Sequence, residues 1–472
     1  MAILNIIGRK MSIGRMKIMG RLFGTDGVRI DLRDGIDPSF FSSLAQSICE
    51  AFGKGSIFLI GRDVRYAGDI IFHSMLSGLF LSGCRAFNAG LVTTPSLQYV
   101  IKEEGYFDGG IMITASHNPP NYNGVKVIDS DGIEVPRKKE NEIEEIFASM
   151  LQRTRKTPIH EYHLADYPGT IEKYVNGVVS HVDDELIRSR ELRVVIDAAN
   201  SVGSLALPKI VGRLGGKVIS LNAHLDPSFP GREPEPTPST LAVSSTLTKE
   251  VGADMGVAVD GDADRSIFID EKGYVYWGDR TAAIFSLYLK EKHPDLPARV
   301  YTGVSSSSFI EKVLKSAGIE VVWMKVGSVD ISRRLKHEGG LLGFEENGGI
   351  MYPQHQFVRD AGMATALMME ILAREKRKLS ELYSIFPRTY SIKTKYPIHS
   401  KEQGALIYER IKEKYSNEKI IDIDGIKVIG EDYWFLVRLS GTEPVIRVMI
   451  ESEREGAEKN ILREIEELLQ AD

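Results

Sequence analysis

Between residues 56 and 347 the sequence switches repeatedly between two hydrophobic periods. SIFLIGRD (56–63) is a short run of β-formers, and AGDIIFHSMLSGLFLSG (67–83) then places apolar residues at helical spacing. AFNAGLV, TPSLQYVIKEEG and GGIMITAS continue as strand, helix and strand. The alternation restarts at LRVVIDAAN (192–200), with a helix to about 214, KVISLN, a helix near 240–250 and MGVAV. It restarts again with a helix near 279, followed by RVYTGV, SSSFIEKVLKSAG, IEVVWMKV, a further helix and GLLGFEEN. Such alternation predicts parallel-rich α/β layers in three modules of similar size. From residue 387 the pattern changes. IIDIDGIKVIG, DYWFLVRLS and PVIRVMIESE read as strands joined by turns, closed by the helix GAEKNILREIEELL, which is a small α+β unit. The expected divisions are 21–168, 169–272, 273–386 and 387–472. No internal repeat stands out by identity.

The first 21 residues carry five basic residues and no acid, and AILNII is too short and wrongly placed for a signal-peptide core. Residues 1–20 are expected to be a disordered tail, or to precede a true start at Met19. Elsewhere the balance of 59 basic and 65 acidic residues gives −6, which excludes a dedicated nucleic-acid binder. No uncharged apolar run reaches the roughly 18–20 residues of a membrane span. Cys49 and Cys84 are the only cysteines, and with no C-x-x-C they are expected to be buried free thiols of a cytoplasmic protein.

One insert departs from this regular scheme. VAVDGDADRSIFID (257–270) sets Asp260, Asp262 and Asp264 at alternate positions between two apolar runs, where Asp, Gly and Ala are poor strand residues. Like charges this close require a cation, or a proton on one of them. An EF-hand loop would place Glu271 correctly at position twelve, but it needs Gly at position six, where Arg265 stands, and helices on either side. A divalent-ion site on a strand-to-strand loop fits better than that or a solvated acidic turn. Arg265 suits an ion whose partner is a phosphate.

Three further loops concentrate polar, Gly or Pro residues. TASHNPPNYNGVK (114–126) puts Ser116 just after a buried-looking strand, where open α/β sheets bind ligands. Taken singly, Ser116 could bond its own turn, His117 could be structural and Lys126 could be a surface lysine; the cluster carries the signal. GFEENGG (343–349) offers Glu345, Glu346 and Asn347 beside permissive glycines, a set suited to sugar hydroxyls or to a plain charged turn. RLSGTEPVIR (438–447) collects Arg438, Ser440, Gly441 and Thr442 into a potential anion nest. GREPEPTPST (231–240) reads only as a loop, since its prolines forbid regular pairing.

TASHNPPNYNGVK, DGDADR, GFEENGG and RLSGTEP, in this order, resemble the α-D-phosphohexomutase superfamily from about residue 21 to the end. FGTDGVR (23–29) and RLSGTEPVIRVM are especially similar to its phosphoglucosamine mutase branch. The resemblance implies a heart-shaped molecule of three similar α/β mixed-sheet domains and a fourth α+β domain like the TATA-box-binding protein. The active site would lie in a central cleft with one loop from each domain. The implied activity is interconversion of hexose 1-phosphates and 6-phosphates through a phosphoserine and a bisphosphosugar.

By the same resemblance Ser116 would be the phosphoserine, and Asp260, Asp262 and Asp264 would hold one Mg²⁺ together with its phosphate. Arg29, His117, Lys126 and Arg265 would serve phosphoryl transfer, with Lys126 the general acid/base. Glu345 and Asn347 would bind the sugar. Arg438, Ser440, Gly441, Thr442 and Arg447 would bind the phosphate that does not react. A hexose bisphosphate would be the activator, the partners would be small phosphosugars, and the chain would be a monomer or a homodimer. The rival readings are a serine- and metal-dependent sugar phosphatase and a non-catalytic sugar-phosphate binder.

Two loops depart from the family pattern. Relatives often read Glu-x-Ser-Gly-His where this chain has Glu345 to Gly349, and Ser328 of KVGSVD stands where some carry His. With Gly349 lacking a side chain, a roomier pocket that discriminates poorly at C2 is expected.

Overall fold

A computed structural model of the chain describes residues 22–24, 26–150, 164–398, 400–440 and 444–470. The expected tail, 1–20, lies outside the described residues.

Among the described residues four sheets follow one another along the chain. The first has six strands in the spatial order Val28–Asp31, Tyr122–Asp129, Gly109–Ile113, Ile57–Arg62, Arg85–Leu91, Leu164–Asp166. The second has five: Val275–Tyr276, Ser266–Ile269, Met255–Val259, Arg193–Asp197, Lys217–Leu221. The third has four: Glu320–Met324, Arg299–Gly303, Leu342–Phe344, Ile350–Met351. Parallel strands predominate where helices such as Gly68–Leu81, Gly203–Arg213 and Phe309–Ser316 carry the chain back across the sheet, as βαβ connections require.

Each of these three sheets also ends its parallel set in the same way. Gly109–Ile113 turns back antiparallel into Tyr122–Asp129, Met255–Val259 into Ser266–Ile269, and Leu342–Phe344 into Ile350–Met351. The connecting loops are those of Ser116, of the three aspartates and of Glu345. The three modules are therefore a topological repeat that residue identity conceals, with a polar loop at the same place in each. That place is the carboxyl end of a parallel strand, where open α/β sheets bind ligands.

The fourth sheet is wholly antiparallel, in the order Tyr390–Pro397, Val445–Ser452, Tyr433–Leu439, Ile426–Ile429, Lys419–Ile421, and the helices Lys401–Lys414 and Ala457–Gln470 belong to it. The first unit has its own core around Phe41, Leu44, Phe58, Ile111 and Val125. The second and third share one, because the almost wholly buried helix Ala361–Glu375 packs against Asp184–Arg188, Gly203–Arg213 and Gly278–Lys292. Among the described residues no helix is long and apolar enough to cross a membrane.

The cysteine expectation is corrected. Cys49, on the buried face of the helix Pro38–Phe52, is disulfide-bonded to Cys84, which precedes the strand Arg85–Leu91. Their Cα atoms are 6.0 Å apart although 35 residues separate them in sequence. Spacing alone does not show that the first core brings them within bridging range.

Candidate active site

Ser116 is fully buried and its φ is +51°, a left-handed conformation that costs an L-residue about 1–2 kcal/mol. The surroundings enforce it. The Ser116 N–H donates to Thr114 Oγ1 at 2.8 Å, and Thr114 Oγ1 donates to Asp63 Oδ2 at 2.6 Å. The Arg65 guanidinium donates to the carbonyls of Ser116 (2.5 Å), Asn118 (2.7 Å), Pro119 (2.9 Å) and Tyr122 (3.0 Å), and pairs with Asp63 at 3.2 Å. Arg29 Nη1 donates to Thr114 O at 2.6 Å. So held, Ser116 Oγ donates to Asp260 Oδ2 at 2.6 Å and lies 3.4 Å from His117 Nδ1.

Asp260, Asp262 and Asp264 are all buried and present carboxylate oxygens within 4.8 Å of one another. The backbone N–H groups of Asp264 and Arg265 donate to Asp260 Oδ1 and fold the loop around it. Burial, with Asp264 and Asp262 beside it, pushes the Asp260 carboxyl far above the usual range. Asp262 is held below that range: burial opposes its charge, but Lys126 and the Thr94 hydroxyl, which donates at 2.5 Å, outweigh it. Asp262 Oδ1 and Asp264 Oδ1 are buried and accept no hydrogen bond. Three converging carboxylates with two oxygens left unbonded fit a hard divalent cation.

Lys126 lies on the strand Tyr122–Asp129, not on the loop, and is fully buried. Its Nζ is 2.7 Å from Asp264, 3.0 Å from Asp262 and 3.2 Å from Asp26. Burial works against its charge, yet those three carboxylates prevail and raise its pKa above the ordinary lysine value. Arg359 Nη2 meets Asp264 and Asp26, each at 2.7 Å, and its Nη1 meets Glu345 Oε2 at 3.2 Å. Arg265 makes a two-pronged pair with Glu235 at 2.9 Å, and Glu235 lies 3.7 Å from His117. The proline-rich loop thus contributes to the site.

The Glu345 loop adjoins this cluster: Arg265 bridges Gly349 through the backbone, and Gly348 O accepts from Ser266 N at 3.0 Å. Asn347 Oδ1 accepts from Gly349 N at 3.3 Å, and Glu346 turns the other way, accepting from Ser305 Oγ at 2.7 Å. The expected extra room at Gly349 is corrected, since a Cβ there would stand 2.5 Å from Arg359 Cδ. Ser328 opens the helix Ser328–Glu338 and is buried, its hydroxyl unbonded.

In the fourth sheet Arg438 and Arg447 stand directly opposite each other on adjacent strands, with Lys395 opposite Arg447 on the next. Arg438 Nε donates to Asp424 at 2.8 Å, and Asp424 also accepts from Val326 N at 3.0 Å, tying this row to the loop before Ser328. Ser440 N donates to Val445 O at 2.9 Å, which closes the turn. Gly441 and Thr442 lie outside the described residues.

The structure therefore joins Ser116, His117, Lys126, Arg265, the three aspartates and Glu345 in one set of contacts, with Arg29 at its edge through Asp26. Arg438 bonds Asp424 instead of that set. Sequence reasoning missed Asp26, Asp63, Arg65, Thr94, Glu235 and Arg359. Asp26 lies within the quoted FGTDGVR and Asp63 within SIFLIGRD, so a polar residue ending or interrupting an apolar run was the available signal.

The chain matches four successive families: phosphoglucomutase/phosphomannomutase alpha/beta/alpha domain I over residues 20–154, domain II over 172–273, domain III over 277–390, and the C-terminal domain over 399–468. It is 46% identical over 454 residues to a phosphoglucosamine/phosphogalactosamine mutase of Sulfurisphaera tokodaii, covering 96% of this chain and 100% of that one. It is 37% identical to a phosphoglucomutase/phosphomannomutase of Thermococcus kodakarensis, covering 94% and 97%. The fold matches that of a phosphoglucomutase/phosphomannomutase family protein of Burkholderia thailandensis with a TM-score of 0.83 at 23% identity, over 95% and 97% of the two chains. All four domain families in order, and curated mutases aligned over nearly its whole length, make the chain a member of the α-D-phosphohexomutase superfamily, whose activity is the interconversion of hexose 1-phosphates and 6-phosphates.

Proposed function

We propose that this phosphohexomutase acts on aminohexose phosphates, glucosamine phosphate first among them, with Ser116 as the phosphoryl carrier. The observation that carries the reading is the Ser116 hydroxyl, held in a strained turn against Asp260 of the three-carboxylate loop. Asp260, Asp262 and Asp264 would hold one Mg²⁺, which when bound supplies positive charge to the transferring phosphoryl group. Phosphorylated Ser116 gives its phosphoryl group to the sugar hydroxyl, the resulting bisphosphosugar turns around in the cleft, and its other phosphate returns to Ser116. A hexose bisphosphate primes the serine. Lys126, protonated in its pairs with Asp262 and Asp264, would exchange the proton of the reacting hydroxyl only once the cation takes those carboxylates from it, and Arg29, His117 and Arg265 orient the phosphoryl oxygens. Glu345 and Asn347 receive the sugar hydroxyls. Arg438, Ser440, Gly441, Thr442 and Arg447 grip the phosphate that does not react. The work is positioning and charge stabilisation, as phosphoryl transfer requires.

One chain carries all four loops, so a monomer and a homodimer serve equally. The divisions 21–168, 169–272, 273–386 and 387–472 assign one loop to each unit. We infer a cytoplasmic reaction from the phosphorylated-sugar substrates; a disulfide such as Cys49–Cys84 is unusual in that compartment outside hyperthermophiles.

The relatives are named for glucosamine and galactosamine phosphates in one case and glucose and mannose phosphates in the other, which supports breadth. Kinetics on glucosamine, glucose and mannose 6-phosphates side by side should show at least two turned over, with kcat/KM values within about a hundredfold. Intact mass should show one phosphate on the active protein and none on Ser116→Ala. Full turnover by an unphosphorylated protein without a bisphosphate would overturn the carrier role. Continuous release of inorganic phosphate would make the enzyme a phosphatase.

A further inference from the structure

Arg359 touches three of the four structural units at once. It immediately precedes Asp360, the N-cap of the buried helix Ala361–Glu375, so its backbone is anchored. One nitrogen of its guanidinium, Nη2, is shared between Asp264 of the carboxylate loop and Asp26 of the first unit. The other, Nη1, bonds Glu345 of the sugar loop. The residue is only 3% exposed, so these bonds are made away from water, where they are strong. Its stem packs against Gly349, whose missing Cβ is what lets the sugar loop approach it.

We propose that Arg359 is a positioning residue that couples the carboxylate loop to the sugar loop, so that cation binding at the aspartates sets Glu345 for the sugar, and sugar binding strengthens the hold on the cation. The inference rests on the metal role given to Asp264 and the sugar role given to Glu345. Its physical basis is the rigidity of the guanidinium. The group is planar, so a change in what Asp264 offers Nη2 turns Nη1 with it, and the close packing at Gly349 leaves the stem no slack to absorb the change. Linkage then makes the effect reciprocal.

The test is calorimetric titration of the Ser116→Ala protein, which cannot turn over. Glucosamine 6-phosphate is titrated with and without Mg²⁺, and Mg²⁺ with and without glucosamine 6-phosphate. Each ligand should tighten the other by at least about fivefold, the lower end of ordinary coupling. Adding Arg359→Lys keeps the charge, and with it any direct attraction between cation and phosphate, but a single ammonium cannot serve both loops in one plane. The coupling factor should fall at least about threefold while Mg²⁺ alone still binds. Glu345→Gln, which cuts the bridge at its other end, should lower the same factor without weakening Mg²⁺ binding in the absence of sugar. Coupling that survives undiminished in Arg359→Lys overturns the inference and leaves the site reading intact. Absence of coupling in the Ser116→Ala parent while each ligand still binds overturns the inference alone, and failure of either ligand to bind there overturns the site reading with it.

Discussion

Replacing Arg65 by Lys tests whether the conformation of Ser116 is imposed on it. Arg65 supplies four donor contacts to the carbonyls of Ser116, Asn118, Pro119 and Tyr122, and all but the last two are 2.7 Å or shorter. An ammonium offers three donors from a single point for five partners, Asp63 included, so at least two of these bonds are lost. A hydrogen bond to a charged group contributes about 1.5–3 kcal/mol. Losing two therefore exceeds the roughly 1–2 kcal/mol by which a left-handed serine is disfavoured. Ser116, at φ +51°, should then relax toward an ordinary backbone region and carry its hydroxyl off Asp260. A conformational preference of that size reduces the competent population about 5- to 30-fold, and kcat should fall by the same factor. KM should stay within about twofold, because the proposed phosphate grip and sugar loop belong to other units. Steady-state conversion of glucosamine 6-phosphate, with a hexose bisphosphate present, measures both constants. A kcat within about twofold of the parent would mean that the turn holds itself, and a raised KM at unchanged kcat would place Arg65 on the substrate.

Asp262→Asn removes an anionic ligand from the carboxylate loop and should lower kcat by about a hundredfold or more, and undiminished turnover in the presence of EDTA would reject the metal role. Arg438→Ala should raise KM by about 10- to 150-fold, the equivalent of one charge-assisted phosphate contact of about 1.5–3 kcal/mol; an unchanged KM would exclude Arg438 from the phosphate site. Lys427, fully buried between the rings of Trp323 and Trp434, donates to Ser306 O, and burial pulls its pKa down to about 7 against the opposing charges of Asp279 and Glu451. An unfolded lysine keeps its proton to about pH 10, so this group's cost to the fold is full below pH ~7 and fades as pH rises toward ~10. Urea unfolding should therefore show Lys427→Met more stable than the parent at pH 6, with the difference shrinking toward pH 10; a difference independent of pH would refute the buried charge.

What was legible in the sequence was whatever interrupts a local pattern. The three aspartates break a run of β-formers, and Ser116, Glu345 and Arg438 sit among glycines and prolines where strands end, so a short window suffices to find them. Arg65, Thr94 and Arg359 lie in ordinary surroundings and acquire meaning only through partners 51, 168 and 95 residues away at Ser116, Asp262 and Asp264. The same holds for Cys49 and Cys84. Lys126 was expected in the site but on the loop: NGVKVID follows a turn-rich stretch, and its neighbours do not show that it is a strand paired on both sides, its lysine against three carboxylates. The threefold recurrence of the hairpin loop was likewise hidden, because topology repeats there while side chains do not.

The two glycines of the sugar loop show where composition misleads about substrate. A missing side chain suggests space, but space depends on what stands opposite. Gly348 has φ +95°, a conformation other residues resist, and a Cβ there would run into Ser266 O. At Gly349 the vacancy is filled by the stem of Arg359. Neither glycine opens the pocket, and a histidine at 349 would not restore a lost contact: it would push Arg359 off Glu345 and Asp264. Any breadth at C2 must then come from the polar groups that remain. Glu345, tied to Arg359, and Asn347, tied to Gly349 N, accept hydrogen bonds without a rigid fork that demands one particular substituent. A carboxylate accepts from an axial hydroxyl, an equatorial hydroxyl or an ammonium alike, and the ammonium adds charge. If Glu345 and Asn347 take the sugar as proposed, tolerance of hexoses with a preference for the amino sugar would follow from that donor and acceptor chemistry, not from volume.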